Sequence, residues 1–191
     1  CQIALVKEEL PPINFELLNN SNIFWFGQHI EIFPQNNQVK YKFHNQITTK
    51  VIIAGGSAGA HLALMGGLLG NDRRFDTNCK SKTNMQVAAI ISNYAPTDFT
   101  DFNSVMSQFK SLKNWLGEKV DNQEFRASVS PVTHIKKNSP PIFIVHGNAY
   151  PIVPYEQSVI LQKKLNEAGI YNEFITVEGG GHGGFDADKK A

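Results

Sequence analysis

The chain has 191 residues, 41% hydrophobic and 18% charged, with 18 basic against 17 acidic side chains and a formal charge of +1. That length and composition suit one domain with a single core and exclude a disordered tail, a collagen-like fibre or a coiled coil. The balanced charge gives no electrostatic basis for binding nucleic acid. No apolar run approaches the roughly 18 residues of a spanning helix. The most apolar stretch, Ala58–Leu69, is interrupted by Gly66 and Gly67. Two cysteines, Cys1 and Cys79, make neither a disulfide framework nor a metal cluster. The chain opens at Cys1 rather than Met, and we read it as a piece of a longer chain ahead of a processed lipoprotein.

In the first 46 residues, Leu10-Pro11-Pro12 is a break, Asn19-Asn20-Ser21-Asn22 a turn cluster and Ile23-Phe24-Trp25-Phe26-Gly27 an aromatic knot. Asn19-Asn20-Ser21 is an isolated match to the glycosylation pattern. Alternation over Gln38–Phe43 predicts a short strand after the Asn36-Asn37 turn. From Ile47 the pattern sharpens. Val51-Ile52-Ile53-Ala54 is a β-branched run suited to burial on both faces of a parallel sheet. A glycine turn follows, then a helix over Ala58–Leu69 closed by Gly70-Asn71. Val87–Ile91 and Ile142–Val145 predict two more buried strands. Tyr155–Ala168 predicts an amphipathic helix with Leu161, Leu165 and Ala168 in one stripe, Pro154 at its start and Gly169 at its cap. Glu173–Val177 is the last predicted strand and opens onto Gly179-Gly180-Gly181-His182-Gly183-Gly184. Strands alternating with helices mean an α/β architecture with a mostly parallel sheet.

Gly55-Gly56-Ser57-Ala58-Gly59 fits G-x-S-x-G between a strand and a helix. Such a turn lifts the Ser57 hydroxyl clear of the backbone, and Gly55 and Gly59 let strand and helix pass closely. It also brings the Ala58 N–H to a helix N-terminus, where it can donate to an oxyanion. The competing reading is a merely structural glycine-rich turn. A serine needs a base, and His182 is the candidate, because it follows the last strand in a loop with room for an imidazole. Of the other histidines, His61 one turn beyond Ser57 reads as packing and His146 as a core residue with its own hydrogen bond. His29, His44 and His134 have no visible partners, and no spacing among the six suggests a metal site.

Four ordered segments carry a family resemblance: Ile52–Asp72, Ser92–Phe99, Pro140–Ser158 and Gly179–Phe185. From about Ile47 to Phe185 the chain resembles the α/β-hydrolase esterases, closest to the carboxylesterase and lipase-like group that includes acetyl-xylan and feruloyl esterases. Its order, Ser57 before His182, agrees with the order Ser, acid, His of that fold. The resemblance implies hydrolysis of carboxylic esters, among them acyl groups on plant polysaccharide, through an acyl-serine intermediate without cofactor or metal. It also leans towards a secreted or periplasmic setting.

Three departures modify that expectation. Where the family has an aspartate after the strand ending in His-Gly, this chain has Tyr150 within His146–Pro154. A neutral phenol cannot stabilise an imidazolium as a carboxylate does, which implies impaired turnover. Asp98, after the Val87–Ile91 strand, is the best substitute acid, with Asp101 and Glu178 weaker candidates. Second, no His-Gly-Gly-Gly oxyanion loop precedes Ser57, and Gly27 is the only glycine between Cys1 and Ile53. Third, the segments before Ser57 and after His182 are short for the family. The expected organisation is therefore a diverged or incomplete N-terminal segment, 1–46, and the C-terminal part of one α/β-hydrolase domain, 47–191. Phe99, Phe102 and Trp115 are candidates for a cap or, equally, for core. An esterase acting on small esters, a non-catalytic binding protein of the same fold and an inactive fragment remain as alternatives.

Overall fold

β-Branched runs alternating with glycine-bounded apolar segments are what a parallel sheet with crossover helices requires. The computed structural model describes residues 2–3, 21–26, 32–33, 50–75, 84–101 and 110–181. In chain order the elements are β1 (Gln2–Ile3), β2 (Ser21–Phe26), β3 (Ile32–Phe33), β4 (Lys50–Gly56), α1 (Ala58–Leu69) and β5 (Ala89–Asn93). There follow α2 (Lys110–Leu116), α3 (Gln123–Ser128), β6 (Ile142–Gly147), α4 (Glu156–Glu167) and β7 (Asn172–Val177). Short 3-10 turns occupy Gly117–Lys119 and Pro131–His134.

Five strands form one sheet in the order β2-β4-β5-β6-β7, every neighbour parallel. Each new strand is added on the same side of the last. Right-handed crossovers that always step the same way place their helices on the same face. The packing agrees, since Ala60, Ala63, Leu64 and Leu68 of α1 share a buried cluster with Leu161 and Leu165 of α4. Ile90, Ile142 and Ile144 are the sheet's side of that cluster. Truncating one of these large aliphatic side chains to alanine costs about 2–5 kcal/mol. The opposite face carries Ile52, Ala54 and Ile91 in a second buried group.

Both long helices end as their sequence dictates. Gly70 takes φ 53° and its N–H donates to the Gly66 carbonyl at 3.1 Å. At the end of α4, Gly169 takes φ 71° while the Ile170 N–H returns to the Leu165 carbonyl at 2.9 Å. This is a Schellman cap, and Ile170 and Leu165 belong to the same buried cluster, as the motif requires.

Three expectations need correction. The aromatic stretch after Asn22 is not an irregular knot: Ser21–Phe26 is a strand in full parallel register with Lys50–Gly55. The second buried strand lies two residues later than Val87–Ile91, because Ser92 and Asn93 are buried and continue the ladder beside Gly55 and Gly56. His134 has a partner, its Nε2–H donating to the Ser128 carbonyl at 2.8 Å. Cys1, Cys79, Gly27, His29, His44, Phe102, His182 and the strand expected at Gln38–Phe43 lie outside the described residues.

Because β4 to β7 are parallel, their C-terminal ends share one edge of the sheet, where open α/β sheets bind ligands. The segments leaving that edge contain Ser57, Asp98, Tyr150 and Glu178 in turn. The excursion between β5 and β6, with α2 and α3, packs a third cluster that includes Phe99, Leu112, Leu116, Val129 and Val153. Tyr150 is part of it.

Candidate active site

The turn at Ser57 is as tight as the glycine spacing demands. A Cβ on Gly55 would stand 2.3 Å from the Gly59 carbonyl oxygen, so strand and helix backbones touch there. The Ser57 N–H donates to the Asn93 carbonyl at 2.9 Å, tying the turn to the end of β5. Ser57 itself adopts φ 52° and ψ −122°, a sparsely populated conformation for a residue with a side chain. It is half-buried rather than sealed, and Ala58 opens the helix beside it. The Ala58 N–H is thus placed at the positive end of α1, where an anionic oxygen is favoured.

Among the described residues only Ser57 and Tyr94 are non-glycine residues with positive φ, and they are neighbours in space. Tyr94, at φ 44°, has its hydroxyl 2.8 Å from where a Gly56 Cβ would be. A side chain on Gly56 would displace the Tyr94 phenol. The Tyr94 ring meets the Tyr150 ring edge-on, with centroids 5.2 Å apart.

Tyr150 is 5% exposed, its ring set against those of Tyr94 and His146 and among the Phe99 and Val153 side chains. Burial raises its pKa above the ordinary phenol value and outweighs the smaller, opposite effect of Ser57 nearby. The phenol is thus neutral at pH 7. The loop carrying it is held from several sides. The Tyr150 N–H donates to the Gly147 carbonyl, and the Ala149 N–H to the Gly180 carbonyl, each at 3.2 Å. Gly147 has no room for a side chain, since a Cβ would meet the Gly180 oxygen at 2.1 Å. The glycine loop after β7 is thereby packed against the loop that bears Tyr150. Gly181, the last described residue, immediately precedes His182.

His146 is fully buried, with both ring nitrogens engaged. Its Nε2 lies 3.0 Å from the Val153 carbonyl, which can only accept, so Nε2 carries the proton and Nδ1 accepts from the Ser158 hydroxyl at 2.8 Å. This pins the far end of the Tyr150 loop and leaves His146 no nitrogen for Ser57. His61 donates its Nε2–H to the Val129 carbonyl at 2.9 Å, and its ring contacts those of Phe99 and Trp115. Burial depresses the pKa of both imidazoles. Phe99 is core at 2% exposure, whereas Trp115 is 54% exposed at the rim of the excursion.

Asp98 is half-buried on the segment after β5. Its Oδ1 accepts from the Thr100 N–H at 2.8 Å and from the Thr100 hydroxyl at 2.6 Å. Its own N–H donates to Gln157 Oε1 at 2.8 Å, and the Thr97 N–H donates to the same oxygen at 2.6 Å. Gln157, on α4, therefore anchors the Asp98 segment, a role with no local signal because the partners are some sixty residues apart in the chain. Glu178 is exposed and accepts from Asn148 Nδ2 at 2.5 Å. Asp101 is exposed at the start of the excursion. Among the described residues no three His, Cys, Asp or Glu side chains lie together as metal ligands. No described helix is long and apolar enough to cross a membrane.

A strained serine between a parallel strand and the N-terminus of a buried helix is the geometry of an α/β-hydrolase elbow. The family model BD-FAE matches residues 30–165, well over half of the chain. The chain belongs to the BD-FAE family. Relatives of this family member include Esterase LipQ of Mycobacterium tuberculosis (strain ATCC 25618 / H37Rv), 33% identical over 121 residues. That match covers 62% of this chain and 29% of the relative. Among solved structures, a truncated form of a carbohydrate esterase from gut microbiota superposes with a TM-score of 0.59 at 27% identity. It covers 72% of this chain and 54% of that one. The acetyl ester-xyloside bifunctional hydrolase from Caldicellulosiruptor lactoaceticus gives 0.57 at 25% identity, covering 70% of this chain and 47% of that one. The fold is the α/β-hydrolase fold, and the chain spans about half of these solved structures and under a third of LipQ.

Proposed function

We propose that the chain hydrolyses small carboxylic esters, with Ser57 as nucleophile and His182 as general base. The observation that carries this is the Ser57 backbone, held at φ 52° and ψ −122° between β4 and α1. Strain of about 1–3 kcal/mol at a residue persists where the surroundings impose it, and such residues cluster at active sites. The esterase names of the relatives point the same way.

In the proposed cycle Ser57 Oγ attacks the acyl carbon as its proton passes to the His182 imidazole. The carbonyl oxygen becomes an oxyanion and receives the Ala58 N–H; one such donor contributes about 10²–10³ in rate. The imidazolium then protonates the leaving alcohol, and water repeats the sequence on the acyl-serine. His182 is favoured in part because His146 has both ring nitrogens engaged and His61 has its Nε2–H committed to the Val129 carbonyl. Its loop, through Gly180, packs on Gly147 and thus towards Tyr150.

Tyr150 stands where the family carries a carboxylate, so turnover is slow relative to a complete triad, whose carboxylate contributes about 10⁴ in kcat. Asp98 is the alternative orienting acid, its Oδ1 already engaged by Thr100. Acetylated sugars are the first natural substrates to try, since one solved neighbour is an acetyl ester-xyloside hydrolase.

The test is hydrolysis of p-nitrophenyl acetate, p-nitrophenyl butyrate and acetylated xylo-oligosaccharides by the wild-type chain, Ser57→Ala and His182→Ala. Slow wild-type turnover, abolished by Ser57→Ala and reduced in His182→Ala, is expected. Turnover undiminished in Ser57→Ala would place the chemistry at another residue.

A further inference from the structure

Left-handed backbone at a residue with a Cβ is costly and persists only where the surroundings impose it. The elbow has two such residues, Ser57 at φ 52° and Tyr94 at φ 44°. The strand-to-helix turn accounts for Ser57. Nothing in that motif asks for a tyrosine at position 94, and glycine or asparagine would make the same turn with less strain. The phenol itself therefore needs a reason.

The peptide between Asn93 and Tyr94 is held on both sides. Its carbonyl, that of Asn93, accepts the Ser57 N–H at 2.9 Å, and its N–H, that of Tyr94, donates to the Val145 carbonyl at 2.7 Å. One peptide plane thus joins the elbow after β4 to the end of β6. The side chain that leaves this plane lies against the elbow as well. The three atoms nearest to a Cβ built on Gly56 all belong to Tyr94: the hydroxyl oxygen at 2.8 Å, Cζ at 3.2 Å and Cε2 at 3.5 Å. The same ring meets those of Tyr150 and His146 at steep angles, with centroids 5.2 and 6.4 Å away. His146 is in turn fixed by Val153 and Ser158. The phenol is wedged between the residue that precedes Ser57 and the loop that follows β6.

We infer that Tyr94 is a positioning residue, a strut that stops the Gly56–Ser57 segment from relaxing and so keeps Ser57 in its left-handed conformation. This rests on the reading of Ser57 as the nucleophile. The role needs neither a proton transfer nor a contact with substrate. It acts through geometry alone: a serine released from φ 52° swings its hydroxyl away from the place where the acyl carbon is held, and a misplacement of about 1 Å costs on the order of a hundredfold in rate. The strain at Tyr94 is what sets its ring against Gly56, so the two left-handed residues are one device.

The experiment compares the wild type with Tyr94→Gly, which relieves the strain at that residue and removes the strut, and with Gly56→Ala, which pushes the phenol away without touching residue 94. Read out are kcat and KM on p-nitrophenyl acetate and the rate of Ser57 labelling by a fluorophosphonate, with circular dichroism verifying the fold. Each variant should lose about tenfold to a hundredfold in kcat and in labelling rate while KM stays within a few-fold. Gly56→Ala should cost nothing further in the Tyr94→Gly background, because the atoms its Cβ would meet are gone. The second readout is the gap in urea midpoint between Ser57→Gly and Ser57→Ala, which reports strain at the elbow. Adding Tyr94→Gly to both should shrink that gap to about half or less, which a merely structural tyrosine would not do. Should Tyr94→Gly not fold, Tyr94→Leu carries the same expectations with an apolar side chain retained. A folded Tyr94→Gly or Tyr94→Leu with wild-type kcat and labelling, or with the gap undiminished, overturns the inference while leaving Ser57 as nucleophile. A wild type that is folded yet unlabelled overturns the hydrolase reading and this inference together.

Discussion

Replacing Tyr150 by Asp and, in parallel, by Asn separates the charge at this position from its size. The structural loss is common to both. Tyr150 is 5% exposed and packs with Phe99, Leu112, Leu116, Val129 and Val153. Truncating a buried aromatic costs about 3–5 kcal/mol, a large part of the 5–15 kcal/mol typical of a domain. Assays therefore belong near 15 °C, with folding followed by circular dichroism. The gain belongs to Asp alone. A carboxylate that holds the histidine tautomer and stabilises its imidazolium is worth about 10⁴ in kcat, or roughly 5 kcal/mol. The short Asp side chain must also be desolvated among apolar neighbours, so part of that gain is offset. We expect kcat/KM on p-nitrophenyl acetate at pH 7.5 to be about a hundredfold higher for Tyr150→Asp than for Tyr150→Asn. If both are folded and agree within a few-fold, the position does not face the histidine and the reasoning fails. In that case Asp98→Asn in the wild-type background should cripple turnover, identifying Asp98 as the orienting acid.

Ser57→Gly should remove strain as well as activity: its urea midpoint should correspond to about 1–2 kcal/mol more stability than Ser57→Ala, which keeps the Cβ in the same conformation. Equal midpoints would mean that the turn is unstrained. Gly55→Ala should lose about 3 kcal/mol or more, or fail to fold, because the new Cβ meets backbone 2.3 Å away that no rotamer change can relieve. Acidification should also destabilise the fold. His61, His134 and His146 have folded-state pKa values lowered by burial, so the unfolded chain binds more protons below about pH 6.5. Their contribution is complete above that value and declines as pH falls towards their folded-state values. A urea midpoint at pH 5 equal to that at pH 7.5 would contradict this.

What could be read from sequence was what is local. Val51–Ala54, Gly55–Gly59 and Ala58–Leu69 announce strand, turn and helix within twenty residues, and each is found as expected. α4 was legible because Gly169 and the Leu161–Leu165 stripe both mark it. β2 was missed because Ile23–Phe26 is uniformly apolar and lacks the alternation that distinguishes a strand from an irregular apolar run. β5 runs past the apolar run Val87–Ile91 because Ser92 and Asn93, although polar, are buried between parallel partners on both sides. Within the site, Ser57 was legible from its own motif. The left-handed Tyr94, the anchoring of Asp98 by Gln157 and the packing of Tyr150 against Tyr94 depend on contacts across the sheet edge. No spacing along the chain encodes them.

The most direct measurement is peptide mapping by mass spectrometry after brief exposure of the folded chain to a fluorophosphonate at pH 8. An activated serine gives one adduct, on the peptide containing Ser57, and none in Ser57→Ala. A folded chain with no adduct, or with the adduct on another residue, would contradict the assignment of Ser57 as the nucleophile.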